Sequence, residues 1–389
     1  MNFAEKAKRI EDFLVETRRD FHANPELPMQ EFRTSGKVKE FLEAEGIERL
    51  PLDTATSVVA VIRGGKKGKS VALRTELDAL PLSEQCDLPY KSRTEGVMHA
   101  CGHDVHLACL MGAAKLLNAC RAELQGDVVL IFQAAEENTQ GAKEMISAGV
   151  MDYPMDAIFG LHTNTSLNAG DVAFLSGPSQ ASADMFTVEI LGRGGHGAMP
   201  HATVDPVMIA AQLITQLQTV VSRNVDPVKT GVLSICQMNA GSSPNIVPQT
   251  ASFSGTIRAL ESEARATIIE RMSAMCAATE LAYGCKCSLN IQAGPPAVVN
   301  DAALTELARK SCAAVLGAEH VKPLSPAMVG DDMAEFLSRI PGVLGALGVR
   351  NEEKGIVCGN HNPNFQVDEA CLTVGAAAMA QMAWDYLNK

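Results

Sequence analysis

Apolar residues recur along the chain in two rhythms, and each predicts its own kind of element. Over residues 3–22, Phe3, Ala7, Ile10, Phe13, Leu14 and Phe21 fall on one face of a helical period, which predicts an amphipathic helix. The turn Asn24-Pro25-Glu26-Leu27-Pro28 follows. A second helix starts near Thr34, buries Val38, Phe41 and Leu42, and stops at Gly46. His22 closes the first helix and reads as a group that satisfies its C-terminal carbonyls. Apolar runs predict strands at 57–63 and 70–75, joined by the turn Gly64-Gly65-Lys66-Lys67-Gly68, and again at 127–132, 156–161 and 342–348. Between them lie a helix that buries Leu107, Leu110, Met111, Ala114 and Leu117, and another over 140–150. A C-terminal helix is opened by Asp368. Strands alternating with helices predict an α/β sheet with parallel strands.

After Gly177-Pro178 the texture changes. Phe186, Val188 and Ile190 point one way, with Thr187 and Glu189 the other. Strand-like stretches recur at 231–238, 250–258 and 285–291, with helices over 206–222 and 260–282. Asp205 as N-cap and Pro206 at the first helical position start the first of these helices. Half-exposed strands with two helices predict a small antiparallel α+β domain that exits near Gly294-Pro295-Pro296. The α/β pattern then resumes. The expected organisation is a discontinuous catalytic domain, 1–181 and 296–389, carrying an insertion over 182–295.

Composition narrows the class. A chain of 389 residues exceeds the ~250–300 at which single cores stop growing, which agrees with two domains. A net charge of -12 argues against nucleic acid or an anionic membrane as a partner. Eleven cysteines in no framework spacing point to a reducing compartment. Residues 1–6 hold no apolar signal core, and no apolar run approaches the ~20 residues of a membrane span. A cytoplasmic location is expected.

The chemistry gathers in His99-Ala100-Cys101-Gly102-His103-Asp104-Val105-His106. Thiolate, imidazole and carboxylate within one turn of chain suit a divalent transition metal, and Gly102 lets the backbone bend between Cys101 and His103. Three predicted strands end in Asp78, in the pair Glu136-Glu137 and in His162. In parallel sheets, ligands collect at the carboxyl ends of strands, so these clusters converge on one site. A cysteine nucleophile at Cys101, activated by a nearby histidine, is the competing chemistry, but it leaves the glutamate pair and two distant histidines idle.

These motifs resemble the M20 metallopeptidase family in its amidohydrolase branch of aminoacylases, hippurate hydrolases and auxin-conjugate hydrolases. The resemblance runs from Asp20-Phe21-His22-Ala23-Asn24-Pro25-Glu26-Leu27 to His361-Asn362-Pro363-Asn364-Phe365. Its most specific pieces are residues 98–104, residues 132–137 and Gly194-Gly195-His196. It implies a two-metal, zinc-peptidase-like catalytic domain with an inserted α+β lid that also serves dimerisation. The implied metal ligands are Cys101, His103, Glu137, His162 and His361, with Cys101 in place of an acidic bridging ligand. Glu136 would be the general base and acid. His196 would help hold the substrate or its oxyanion, Asn245 and Arg258 would bind the substrate carboxylate, and Asp78 would orient a ligand.

The implied cofactors are two divalent ions, and the donor set admits Mn, Zn, Co or Ni. The implied partners are a small N-acyl amino acid and a second copy of the chain. The expected reaction is therefore hydrolysis of N-acyl or N-aroyl amino acids. The alternative within the family is another C–N bond, in an arylamine or an amide conjugate of an aromatic acid. Three departures bear on it. Glu76 stands where the family has Asp, Ala135 is read as replacing the proline before the glutamate pair, and Asp331-Asp332-Met333 replaces a Glu-Asp-Phe motif near the substrate pocket.

Overall fold

In the computed structural model of the chain, which describes residues 1–388, the two strands flanking residues 64–68 are not neighbours. The strand Gln125–Gln133 lies between them, antiparallel to Val58–Ile62 and parallel to Lys66–Glu76. The glycines serve this close approach rather than a hairpin. A Cβ on Gly68 would stand 1.8 Å from the Gln125 carbonyl oxygen, and one on Gly64 2.0 Å from that of Gly126. Asp127 accepts from the Arg63 guanidinium at 2.8 Å and from the Gly64 N–H at 3.0 Å, which ties the turn to the intervening strand.

Contacts divide the chain into two units. The first comprises Met1–Gly177, Val299–Ser325 and Asp332–Lys389. Its sheet has eight strands in the order Glu48–Leu50, Val58–Ile62, Gln125–Gln133, Lys66–Glu76, Ala157–Asn168, Gly342–Arg350, Val172–Phe174 and Val321–Pro323. The four central strands from Gln125–Gln133 to Gly342–Arg350 are parallel, and their outer neighbours Val58–Ile62 and Val172–Phe174 run antiparallel to them. The parallel sheet expected from the sequence is thus its centre only.

The helices His103–Asn118 and Cys371–Asn388 pack on each other and over Lys66–Glu76. Both are apolar on most faces, as a helix inside a core must be. Phe3, Leu14, Phe132 and Phe159 are fully buried, each worth roughly 1.5–3 kcal/mol of transfer free energy.

Three local expectations change. The first helix is two, Phe3–Lys8 and Glu11–Ala23, with the Asn2 side chain capping the first by accepting from the Glu5 N–H at 3.2 Å. His22 does not cap carbonyls. Its ring is fully buried, with Nδ1 2.8 Å from Asp104 Oδ2 and Nε2 3.2 Å from Glu84 Oε1, and Arg18 donates to the same Asp104 oxygen at 2.7 Å. Buried polar groups need partners, and here the carboxylates supply them. His162 is not at a strand end. It lies within Ala157–Asn168, beyond Gly160, the last residue of that strand to pair with Lys66–Glu76.

The second unit comprises Pro178–Val298 and Pro326–Asp331. Its antiparallel sheet runs Gly231–Ala240, Thr250–Ala259, Ser182–Leu191, Lys286–Gln292. Phe186, Val188 and Ile190 bury their side chains with Leu213 and Leu217 of the helix Pro206–Asn224 and Ile268 and Met272 of Ser262–Tyr283. Asp205 caps the first of these helices by accepting from the Val207 N–H at 2.9 Å. Pro326–Asp331 joins this unit through Ala327 N–H to Ser179 O at 3.0 Å and Ala181 N–H to Val329 O at 2.9 Å.

Candidate metal centre

The parallel strands Lys66–Glu76 and Gln125–Gln133 end level, with Glu76 opposite Gln133. Asp78 and the Glu136-Glu137 pair therefore leave the sheet from the same edge. Cys101 and His103 sit at the start of the helix His103–Asn118, which enters over that edge. Gly102 caps the helix with φ 90°, and a Cβ there would stand 2.6 Å from Thr163 Cγ2, so only glycine fits. His361 adopts a left-handed φ of 61° and donates its N–H to Ala100 O at 2.8 Å, which brings a distant loop to the same place.

Six side chains meet here, the five candidate ligands and Glu136. Cys101 Sγ lies 3.4 Å from His162 Nε2 and 3.4 Å from His361 Nε2. His361 Nε2 is 3.6 Å from Glu137 Oε2, and His103 Nε2 is 3.9 Å from both Glu137 Oε1 and Glu136 Oε2. The nitrogen–oxygen spacings are too long for hydrogen bonds. Atoms about 2.0–2.3 Å from a shared cation stand roughly 3.3–3.8 Å apart in a tetrahedral set, a range that includes the 3.6 Å spacing and that the 3.9 Å spacings slightly exceed. His103 Nε2 and Glu137 Oε1 are buried and have no hydrogen-bond partner. Two buried polar atoms that face each other without hydrogen bonds fit a shared divalent cation. Cys101 belongs to two such groups, one with His103 and His162 and one with Glu137 and His361, as a ligand shared by two ions would.

The supports are ordered. Asp78 accepts at its backbone oxygen from His103 Nδ1 at 2.9 Å, while its Oδ2 accepts from the Glu137 N–H at 2.9 Å. One residue thus orients two candidate ligands and leaves His103 Nε2 as the free coordinating atom. His162 Nδ1 lies 2.9 Å from Thr163 O, which leaves its Nε2 toward Cys101. Asn360 Nδ2 donates to Cys101 O at 3.0 Å and to Thr163 Oγ1 at 3.2 Å.

Glu76 takes up its extra methylene by reaching two partners. It accepts from Arg74 and, at Oε2, from His106 Nδ1 at 2.7 Å, and His106 Nε2 accepts the Thr163 N–H at 2.7 Å. Arg74 also donates to Asp332 Oδ1 at 2.7 Å. Neither Arg74 nor His106 was singled out from the sequence. The signal available was their place in the runs 74–78 and 99–106.

Burial pushes the Cys101 thiol well above its usual range, and the neighbouring Glu137 and Glu136 add to this. That is the wrong direction for a free thiolate nucleophile, and a metal would reverse it. Burial would lower His103, but Asp78 and Cys101 beside it outweigh this and raise it well above its usual value. Burial would raise the Glu76 carboxyl, but Arg74 and His106 outweigh it and hold it well below the usual range.

Ala135 needs a correction. Its φ is 54°, and its N–H donates to Glu31 Oε1 at 2.9 Å. A proline ring fixes φ near −65° and has no N–H, so position 135 cannot be where a proline stands on this backbone.

Of the other sequence candidates, His196, Asn245 and Arg258 belong to the second unit. His196 and Asn245 come together there. The ribbon Gly195–His196 pairs with Ile246–Val247, and the Gly197 N–H donates to Asn245 O at 2.9 Å. Both side chains are exposed. Arg258 lies on Thr250–Ala259 opposite Ala183, with its guanidinium beside Gly330. Among the described residues no helix is long and apolar enough to cross a membrane.

A sequence model of peptidase family M20/M25/M40 matches residues 72–385. Thermostable carboxypeptidase 2 of Saccharolobus solfataricus is 40% identical over 386 residues, covering 98% of this chain and 97% of that protein. The N-acetylcysteine deacetylase of Bacillus subtilis is 40% identical over 372 residues, covering 95% of this chain and 96% of that one. A crystal structure of a dinuclear metal-binding peptidase of the M20 family from Bacillus subtilis superimposes with a TM-score of 0.87 at 36% identity, over 98% of this chain and 99% of that one.

Proposed function

The chain belongs to peptidase family M20/M25/M40, and on that footing we propose that it is a metal-dependent amidohydrolase cleaving N-acyl or N-aroyl amino acids. The observation that carries this reading is the pair of orphaned atoms, His103 Nε2 and Glu137 Oε1, 3.9 Å apart with Glu136 alongside. Two divalent ions would be held by Cys101, His103, Glu137, His162 and His361. Bound there, they supply a Lewis acid for the carbonyl and a water of lowered pKa. Glu136 would take a proton from the attacking water and return it to the leaving amine, which departs poorly without one. Arg258, whose planar fork matches a carboxylate, and Asn245 would bind the free carboxylate of the amino acid. His196 would stabilise the oxyanion.

The names of the relatives agree on one chemical feature. A peptide with a free C-terminal residue is itself an N-acyl amino acid, so a carboxypeptidase and a deacetylase cut the same kind of bond. A cytoplasmic location is supported by eleven free cysteines. A homodimer through the second unit is supported by its edge strand Gly231–Ala240, which is exposed over residues 236–240.

The test is amine release from N-acetyl, N-benzoyl and indole-acyl amino acids and a blocked dipeptide, with manganese-loaded and chelator-stripped enzyme side by side. Metal-dependent release from any member supports the reading, and no release from the loaded enzyme overturns it.

A further inference from the structure

The turn between the helices Glu11–Ala23 and Phe32–Ala44 carries a carboxylate that the reaction does not use. Glu31 is fully buried, and its side chain accepts hydrogen bonds both from its own turn and from segments at the edge of the sheet. Its Oε1 accepts the N–H of Met29 at 3.0 Å and of Ala135 at 2.9 Å, and its Oε2 accepts the Thr56 hydroxyl at 2.7 Å. Both of those N–H donors belong to non-glycine residues in the left-handed region, Met29 at φ 65° and Ala135 at φ 54°. Such a backbone is costly for a residue with a Cβ and persists only where its surroundings impose it.

Ala135 is held from several sides. Its carbonyl accepts the N–H groups of Gln140 at 3.2 Å and Gly141 at 3.1 Å, and the preceding Ala134 donates its N–H to Ser57 Oγ at 3.1 Å. The next two residues are Glu136 and Glu137. The same turn also reaches the other strand end, because the Ala79 N–H donates to Glu26 O at 2.8 Å, and Asp78 receives the Glu137 N–H.

We infer that Glu31 is a positioning residue for the glutamate pair, holding Ala135 in its left-handed conformation so that Glu136 and Glu137 leave the sheet at the angle the site needs. This rests on the reading of Glu136 as the base. A buried carboxylate is an expensive way to stabilise a turn, since an apolar side chain of similar volume fills the space without desolvating a charge. Here that carboxylate accepts from the left-handed residue that directly precedes the glutamates, as well as from Met29 and Thr56. Burial raises the Glu31 carboxyl, while its hydrogen bonds from Thr56 and the backbone oppose that.

The test compares manganese-loaded wild type, Glu31→Leu, Glu31→Gln and Ala135→Val on N-acetyl-L-cysteine and N-benzoylglycine, with metal content measured on each. Amide hydrogen exchange over residues 133–141 is followed in parallel. Leu is close in size but accepts nothing, whereas Gln keeps one acceptor for the Ala135 N–H. Displacing a reacting group by about 1 Å costs on the order of 100-fold. The expected result for Glu31→Leu is a kcat loss of about that size per bound metal, with KM within about 2-fold, metal held less tightly because Glu137 moves with Glu136, and faster exchange over 133–141 and at Met29, whose N–H also loses its acceptor. Glu31→Gln should recover to within about 5-fold of wild type.

If Glu31→Leu does not fold, Ala135→Val carries the test. It leaves Glu31 in place, puts a β-branched residue where φ is positive, and should show the same kcat loss. Turnover by Glu31→Leu, or by Ala135→Val where that variant decides, within about 3-fold of wild type overturns the inference while leaving the functional reading intact. A wild type that cleaves neither these two substrates nor any other panel member overturns both.

Discussion

His103 Nε2 and Glu137 Oε1 face each other across 3.9 Å, both buried and neither with a hydrogen-bond partner. Each is oriented by the same residue, Asp78, which binds the ring of one and the backbone N–H of the other. Leaving two such atoms unsatisfied inside a protein costs about 1–3 kcal/mol apiece unless a ligand takes them up. A divalent cation is the ligand whose chemistry fits.

Replacing Glu136 with Gln should separate binding from turnover. Positioned general base and acid catalysis is worth on the order of 10²–10⁴-fold, so kcat should fall by about that factor with the metal retained. Steady-state kinetics with metal analysis on the same sample checks it. Near-native turnover would remove Glu136 as the base.

Cys101→Ala should loosen or lose metal, because its Sγ lies in both candidate ligand groups. Alanine supplies no donor and leaves His162 Nε2 and His361 Nε2 without the sulfur 3.4 Å away. Metal content after gel filtration is the readout. Full occupancy would take Cys101 out of the ligand set.

Metal affinity should weaken as pH falls. Burial pushes the Cys101 thiol well above its usual range, so that it carries a proton when no cation is bound. A cation must displace that proton, so lower pH favours the metal-free form, by about 10-fold in Kd per pH unit for each proton released. Chelator competition between pH 6 and 8 measures the slope. A flat profile would contradict this protonation state.

Much of this site was legible in the sequence because its donors lie close together in the chain or at predictable strand ends. Cys101 and His103 are two residues apart, and Glu136-Glu137 follows directly from an apolar run. What was not legible depends on contacts between distant segments. The interposed strand Gln125–Gln133 turns an apparent hairpin into a crossover, and nothing within residues 57–75 announces it. His22 reads locally as a helix-end residue, yet its partners Asp104 and Glu84 are 82 and 62 positions away. Glu31 meets Ala135 across 104 positions, and the left-handed backbone there has no glycine to mark it.

Restoring the family's aspartate with Glu76→Asp should destabilise this chain. Glu76 reaches both Arg74 and His106, and the shorter side chain leaves one of these buried groups without its partner. The expected loss is about 1–3 kcal/mol in urea unfolding. Equal or greater stability would mean the extra methylene has no role.

A second stability test lies away from the site. Burial would raise the Asp368 carboxyl, but Lys354, at 2.9 and 3.0 Å, and Asn351 outweigh it and hold it below its usual value. A carboxyl lowered in the folded state contributes stability that is present above its ordinary value near 4 and lost as pH falls below it. The Lys354 end is mostly exposed, so the contribution is about 1 kcal/mol. The stability gap between wild type and Asp368→Asn should therefore close as the solution is acidified from pH 6 to 3. A constant gap would contradict the assignment.

The central claim is that hydrolysis depends on metal held by these five residues. It is tested most directly by following amine release from N-acetyl-L-cysteine and the other panel substrates while the same enzyme sample is stripped with chelator and then reloaded with manganese. The account predicts activity that disappears on stripping and returns in proportion to metal bound, up to two ions per chain. Undiminished turnover in the metal-stripped enzyme would contradict it.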